Sequence, residues 1–334
     1  MAIGCVVTVF ALWLAFKSYS LREVTEAIAA PNYWWLIPNL SLGFLAMLIQ
    51  ALRWKTLLSP LAFVPVVEVF SANSIGQLVN NIVPFRLGEY ARVLTISRDN
   101  KKLTKPSLLA TVMVERLIFD AGMLTLVVAG SIAFIPIRWQ FNVGILAVAT
   151  GTVMISVMLF IATAAFEPRI AISIISRLLS LAPATRRDSL RQSLTEFAEV
   201  LPLLRQRTNA LKLVCQTVLI WSLMMTSIYC LFRAFGFVLP ATAPVAFLGA
   251  VVLAMFLPSL PGHIGTFHLA AVLTLTAYGI TDVEGRAFAI VVHLSQFVPT
   301  SAIGLFFLHR SNLTLGIIRR RAMEVRGTET EEAI

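Results

Sequence analysis

Charge is what this chain has least of. Asp, Glu, Lys and Arg make up 13% of its 334 residues, and hydrophobic residues make up 58%. An ordinary soluble domain carries about 25% charged residues, so this composition excludes that class. Cysteine is scarce as well. Cys5, Cys215 and Cys230 all lie inside apolar runs and no CxxC occurs, which excludes a disulfide framework and argues for packing roles. The chain has 17 Asp and Glu, with no acidic pair at a spacing that argues for hydrolysis, and it contains no HExxH, GxSxG or P-loop. Nothing positive therefore supports an enzyme, an ATP site, a metal or a cofactor. The apolar stretch Met1–Phe16 lacks a basic lead-in and a small-x-small cleavage site, so it reads as a retained first helix and not a signal peptide.

Long apolar runs are what the chain has in place of charge. Tyr33–Ala51, Phe141–Phe166, Leu213–Phe232 and Arg286–Leu308 are each long enough to cross a hydrocarbon core about 30 Å thick. The fold class that follows is an all-α polytopic membrane protein. Its net charge of +10 would suggest nucleic acid in a soluble protein. Here it reads as the Lys/Arg excess of cytoplasmic loops, with no nucleic-acid partner.

The basic residues fall in clusters: Arg53 and Lys55; Arg92, Arg98, Lys101, Lys102 and Lys105; eight between Arg169 and Lys212; and five in the tail from Arg310 to Arg326. Assigning these to the cytoplasmic side gives a path for the chain. The first helix runs out and Tyr33–Ala51 returns. Leu61–Leu94 then enters and leaves on the same side, with Pro84 near its tip. Its second leg, Arg86–Ile96, makes only about three helical turns and is too short to span. Leu108–Ile135 runs out, Phe141–Phe166 runs in and Leu213–Phe232 runs out. Phe247–Ile280 is a second enter-and-return segment, opening to the opposite side, and Arg286–Leu308 runs in. The expectation is about six spanning helices plus two re-entrant or broken helical hairpins, with both termini cytoplasmic, in a cell (plasma or inner) membrane.

The hairpin tips carry nearly the same phrase, VPFRLGEY at 83–90 and LPGHIGTF at 260–267. Arg116 follows Pro84 at the same interval at which His293 follows Pro261. Similar phrases in hairpins that enter from opposite faces are the mark of an inverted repeat, with halves of about 33–135 and 211–308 inside a single membrane domain, 1–312. The segment 167–212 has Ile170, Ile174, Ile175, Leu178 and Leu179, then Leu190, Leu194, Phe197 and Leu201, at helical spacing. That pattern fits amphipathic helices at the cytoplasmic interface or a solvated helical connector. The tail, 313–334, is expected to be partly disordered.

Charged groups at membrane depth cost roughly 3 kcal/mol each and persist where they are paired or face a wet cavity. Arg86, Glu89 and Arg92 follow Asn73, Gln77, Asn80 and Asn81. Pro84 ends one half-helix and Gly88 permits close backbone approach. A half-helix beginning near Arg86 would offer a phosphate site; the same residues would also serve as a structural Arg–Glu pair closing the hairpin. Glu115, Arg116 and Asp120 form a second cluster. Arg116 and Asp120 can pair at i, i+4, while Glu115 points about 100° away from Arg116 and needs a partner such as Arg86 or Arg92. The third cluster is Pro258, Pro261, Gly262, His263, Gly265, Thr266 and His268. Imidazoles at i, i+5 share no helix face well, so a metal site is not expected; headgroup contact and structural hydrogen bonding both stay open. His293, with Gln296 and Pro299, is read as a helix–helix contact.

NNIVPFRLGEYAR, VERLIFD and LPSLPGHIGTFH, in that order, resemble the lysylphosphatidylglycerol synthase transmembrane-region family, a flippase-like family, from about Leu40 to Leu308. The family pattern N-x-x-x-P-x-R-x-G-E-x-x-R is matched by Asn80, Pro84, Arg86, Gly88, Glu89 and Arg92. Its E-R-x-x-D is matched by Glu115 and Arg116, with Asp120 one place later. Its P-G-G-x-G-x-F-E is matched by Pro261, Gly262, Gly265 and Phe267, while His263 replaces a glycine and His268 the glutamate. The resemblance implies the lipid-translocating part without an aminoacyl-transferase domain, and a substrate that is a phospholipid, glycolipid or polyprenyl-phosphate-type lipid. The expectation is a lipid transporter. Asn80, Arg86, Glu89, Arg92, Glu115, Arg116, His263, Thr266 and His268 would contact an anionic headgroup; Pro84, Gly88, Asp120, Pro258, Pro261, Gly262 and Gly265 would shape the hairpins. The alternative is a non-transporting partner that docks a lipid-modifying or glycosyl-transferring enzyme through Arg169–Lys212. The sequence leaves oligomeric state open.

Overall fold

The computed structural model describes residues 2–16, 21–83, 87–100, 103–134, 206–255, 259, 261–311 and 316. All regular structure among them is helical. Helices α1 (Ala2–Phe16) and α2 (Leu21–Ala29) lead to a 3-10 turn at Tyr33–Trp35, which the Asn32 side chain caps by accepting from the Trp34 amide at 3.2 Å. α3 (Leu36–Leu58) follows directly. The first phrase becomes a pair of helices, α4 (Val66–Ile82) and α5 (Gly88–Asp99). The second becomes another pair, α9 (Ala243–Ala254) and α10 (Thr266–Ala277), after the long helix α8 (Arg207–Ala234). Twelve residues of α-helix reach about 18 Å, so α5, α9 and α10 are too short to cross a bilayer core, as expected of broken hairpins. α11 (Asp282–Arg310) closes the described chain and contains Pro299.

Three helices are long and apolar enough to cross a membrane: Tyr33–Leu58, Thr208–Ala234 and Asp282–Arg310. They correspond to three of the expected spans. The expected span Leu108–Ile135 is α6 (Lys105–Val114), a π-helical segment (Glu115–Asp120) and α7 (Ala121–Phe134). α6 is capped by Thr104, whose hydroxyl accepts from the Ser107 amide. Phe141–Phe166 and most of the amphipathic segment lie outside the described residues. The end of that segment, from Arg207 to Lys212, belongs to α8 and so continues a long apolar helix.

The described helices form two compact units, divided at Ala46/Met47, Gly122/Met123, Val218/Leu219 and Ser301/Ala302. One holds α4, α5, α6 and the π segment, with Trp54, Leu57, Val69, Ile96 and Leu108 in its core. The other holds α1, α9 and α10. Its core includes an aromatic cluster in which the Phe288 ring lies 5.1 Å from Phe232 and 5.5 Å from Phe247.

Candidate functional site

Two glycines bring α4 and α5 into contact. A Cβ at Gly76 would come within 2.5 Å of the Arg92 Cγ, and one at Gly88 would overlap the Gly76 carbonyl oxygen and lie 2.5 Å from the Asn80 side chain. Asn80 uses this proximity: its Oδ1 accepts from the Gly88 amide at 2.8 Å. It therefore satisfies one of the donors a helix start leaves unpaired, and that amide is not available to a phosphate. Pro84 and Arg86 lie outside the described residues, and α5 starts at Gly88, after Arg86.

Beneath this tip six charged side chains close a ring. Arg53 Nη2 donates to Glu115 Oε1 (3.1 Å) and to Asp120 Oδ1 (2.6 Å). Arg92 Nη2 donates to Glu115 Oε2 (2.7 Å), and its Nη1 donates to Glu89 Oε2 (3.1 Å). Arg116 Nη2 donates to Glu89 Oε1 (2.7 Å), and its Nη1 donates to Asp120 Oδ2 (2.7 Å). Three cations alternate with three anions, each carboxylate uses both oxygens, and each bridges two arginines. The ring is charge-neutral. This answers the cost of burying ions, since buried charges are tolerated when paired and fully hydrogen-bonded.

Further contacts fix the ring in place. Arg53 Nη1 donates to the Thr217 hydroxyl at 3.0 Å. The Arg92 guanidinium lies 4.2 Å over the Trp54 ring, a cation–π contact, and Trp54 Nε1 donates to Thr111 Oγ1 at 2.9 Å. Three of the six ring residues, Glu115, Arg116 and Asp120, sit in the π-helical segment. Such segments are rare and frequent at functional sites. The widened turn lets Glu115 and Asp120 meet the same Arg53 Nη2, and it sets Glu115 and Arg116 in one ring although an ideal α-helix would turn them about 100° apart.

The ring has a sealed edge and an open edge. The Arg53 and Glu115 side chains are each 2% exposed, whereas Arg116 is 43% exposed and Glu89 26%. Beside it lies a small recess lined by Gln50, Asn73, Gly76, Gln77 and Asn80 together with Glu89, Arg92, Glu115 and Arg116. Four carboxamides thus border the ring. The structure brings together Asn80, Gly88, Glu89, Arg92, Glu115, Arg116 and Asp120. It also supplies the Glu115 partner that the sequence asked for, in Arg92.

Sequence reasoning missed Arg53 as a site residue, and it counted Arg92 both as a site residue and among the loop charges. Arg53 lies within α3 at 1% exposure and Arg92 within α5 at 5%. Neither is a cytoplasmic loop charge, and neither carries orientation information. The available signal was the position of Arg53 inside a helical run long enough to span, where a charge needs a partner.

The second phrase builds a different site. Pro261–His263 form a 3-10 turn with Gly262 at φ 74°, and Gly265 has φ 95°. A Cβ at Gly265 would lie 2.8 Å from the Thr8 carbonyl oxygen of α1. Thr266 Oγ1 donates to the His263 carbonyl at 3.4 Å, and His263 Nδ1 lies 3.4 Å from the Ser259 hydroxyl. His268 stacks on His293 with ring centroids 4.9 Å apart and planes at 21°, and Phe267 meets His293 edge-on at 5.0 Å. His293 is thus an aromatic packing partner, while Gln296 is exposed. Pro258 lies outside the described residues. Among those residues no group of three His, Cys, Asp or Glu is set to hold a metal ion.

A model of the family described as "Lysylphosphatidylglycerol synthase TM region" matches residues 1–304. The chain belongs to this family. Its membrane character and a membrane-lipid-related function follow from that membership. No individual curated protein matches the chain.

Proposed function

We propose that this family member is a lipid transporter of the flippase type that moves an anionic lipid headgroup across a cell membrane while the acyl chains stay in the bilayer. It acts as a carrier and not as an enzyme. The observation that carries the reading is a closed ring of three arginines and three carboxylates beside an amide-lined recess, in a chain only 13% charged. Ionisable groups held at this cost in a membrane protein face a substrate or ion path by default. Asn80, Arg92 and Arg116 are the headgroup-contacting residues of this reading, joined by Arg86 from the same sequence motif, and Glu89 and Glu115 orient the arginines.

The architecture we propose is an inverted repeat with about six spans. The helix starts support a repeat. The interval from Val66, which opens α4, to Ala243, which opens α9, equals that from Pro84 to Pro261. The interval from Lys105 of α6 to Asp282 of α11 is the same again. Transporters built this way place substrate at broken helices. The test is reconstitution in vesicles with a labelled phosphatidylglycerol. The protein should speed its transbilayer movement well above that of protein-free vesicles; equal rates would overturn the reading.

A further inference from the structure

A neutral ring poses a problem for an anionic headgroup, because both described arginines on the recess are already paired. Two ring acids are held by three donors each. Glu115 is sealed. Glu89 is partly exposed on the recess, where Oε1 accepts from Arg116 Nε (3.1 Å) and Nη2 (2.7 Å) and Oε2 from Arg92 Nη1 (3.1 Å). Three N–H donors from two guanidiniums around two anionic oxygens is also what a phosphodiester asks of its site.

Two residues that line the recess add a second, independent observation. Arg92 Nε and Asn73 Oδ1 are buried with no hydrogen-bond partner among the described residues, on side chains that are 5% and 7% exposed. A buried polar atom left unpaired is costly. A carboxylate has two oxygens and meets neither atom. A phosphodiester presents the same two anionic oxygens to Arg92 and Arg116, and a hydroxyl on the headgroup supplies the donor that Asn73 Oδ1 lacks.

We infer that the Glu89 carboxylate is an internal stand-in for a lipid phosphodiester, which takes its place on Arg92 and Arg116 while Glu89 turns out toward the open edge. This rests on the transporter reading. No covalent bond changes. One negative charge leaves the ring as another enters, so the ring stays neutral with the site empty or filled. The empty protein never holds a bare pair of arginines in an apolar setting, which would be expensive. The ligand class is a phosphodiester lipid whose headgroup bears a hydroxyl.

The test is equilibrium binding of phosphatidylglycerol to the full chain in neutral detergent, read by native mass spectrometry, with diacylglycerol as the phosphate-free comparator. Glu89→Gln should bind phosphatidylglycerol about tenfold tighter than wild type, since one charge-assisted competitor is gone, and diacylglycerol no tighter. Adding Arg116→Gln to Glu89→Gln should remove the gain. Glu68→Gln, an acid outside the ring that accepts from Asn100, should leave affinity unchanged. Equal or weaker binding by Glu89→Gln overturns the inference, and so does an equal gain from Glu68→Gln, which would mean a general charge effect. If Glu89→Gln does not fold, Glu89→Asp, with a carboxylate too short to keep all three donors, must shift affinity the same way. An excess of inorganic phosphate distinguishes the source: retained lipid assigns the site to the lipid phosphodiester, and displaced lipid to free phosphate, which contradicts the lipid assignment. Absence of lipid movement in vesicles would sink the transporter reading alone, because this binding result does not depend on it.

Discussion

In the first hairpin Gly88 opens α5, and the residue after it, Glu89, is gripped by two arginines. In the second, Gly265 stands just before α10, and the residue after it, Thr266, donates to the nearby His263 carbonyl. Further along, Arg116 joins two carboxylates, whereas His293, at the matching place after the second tip, stacks on another imidazole and meets two phenyl rings. Both hairpins use a glycine to admit a neighbouring backbone. The comparison separates two things a hairpin tip can do. Close packing at glycine is common to both, and a costly network of buried ions is found at the first. This difference is why the proposed headgroup site is assigned to the first hairpin.

The largest effect is expected from Glu115→Ala. It removes the most sealed carboxylate, which Arg53 and Arg92 share, and leaves the buried ring with an uncompensated positive charge; breaking a buried pair costs about 3–5 kcal/mol, read as a large drop in the unfolding midpoint in detergent. His293→Phe keeps the volume and the ring stack and should cost less than about 1.5 kcal/mol. Equal losses from the two would dissolve the contrast between ionic and aromatic sites.

Next come the two glycines. Gly88→Ala and Gly265→Ala each insert a methyl group into a filled contact, and Gly265 also has a positive φ. Both should destabilise by about 1–3 kcal/mol. If Gly265→Ala were silent, the close approach would be a property of the first hairpin alone.

The smallest stability effect with the largest functional one belongs to Arg116→Ala. Arg116 is the most exposed ring member, and its partners Glu89 and Asp120 each keep a second arginine. Exposed pairs contribute about 1 kcal/mol or less, so thermal stability should scarcely change while lipid movement falls to the protein-free rate.

Much of this was legible in the sequence for plain physical reasons. Apolar runs longer than a bilayer core announce spanning helices, and three of the expected runs are such helices. Proline and glycine in the phrases announce short broken helices. The i, i+4 spacing of Arg116 and Asp120 announced their ion pair, and the stranded Glu115 called for an arginine near the first tip. What stayed hidden depended on tertiary position. Arg53 sits near the end of an apolar helix, where a loop charge and a buried ligand look the same in one dimension. Whether it closes a ring is decided by where α3 packs. The π-helical segment has no local sequence mark, yet it lets Glu115 and Asp120 share one guanidinium. The histidine stack likewise joins His268 and His293 from separate helices.

The most direct measurement compares the two sites in one assay: transbilayer movement of labelled phosphatidylglycerol in vesicles holding wild type, Arg116→Ala or His293→Phe, each verified as folded. The account predicts wild-type rates for His293→Phe and the protein-free rate for Arg116→Ala. Wild-type movement by Arg116→Ala, or its loss in His293→Phe with Arg116→Ala intact, would contradict the claim that the ion ring of the first hairpin is where the headgroup is held.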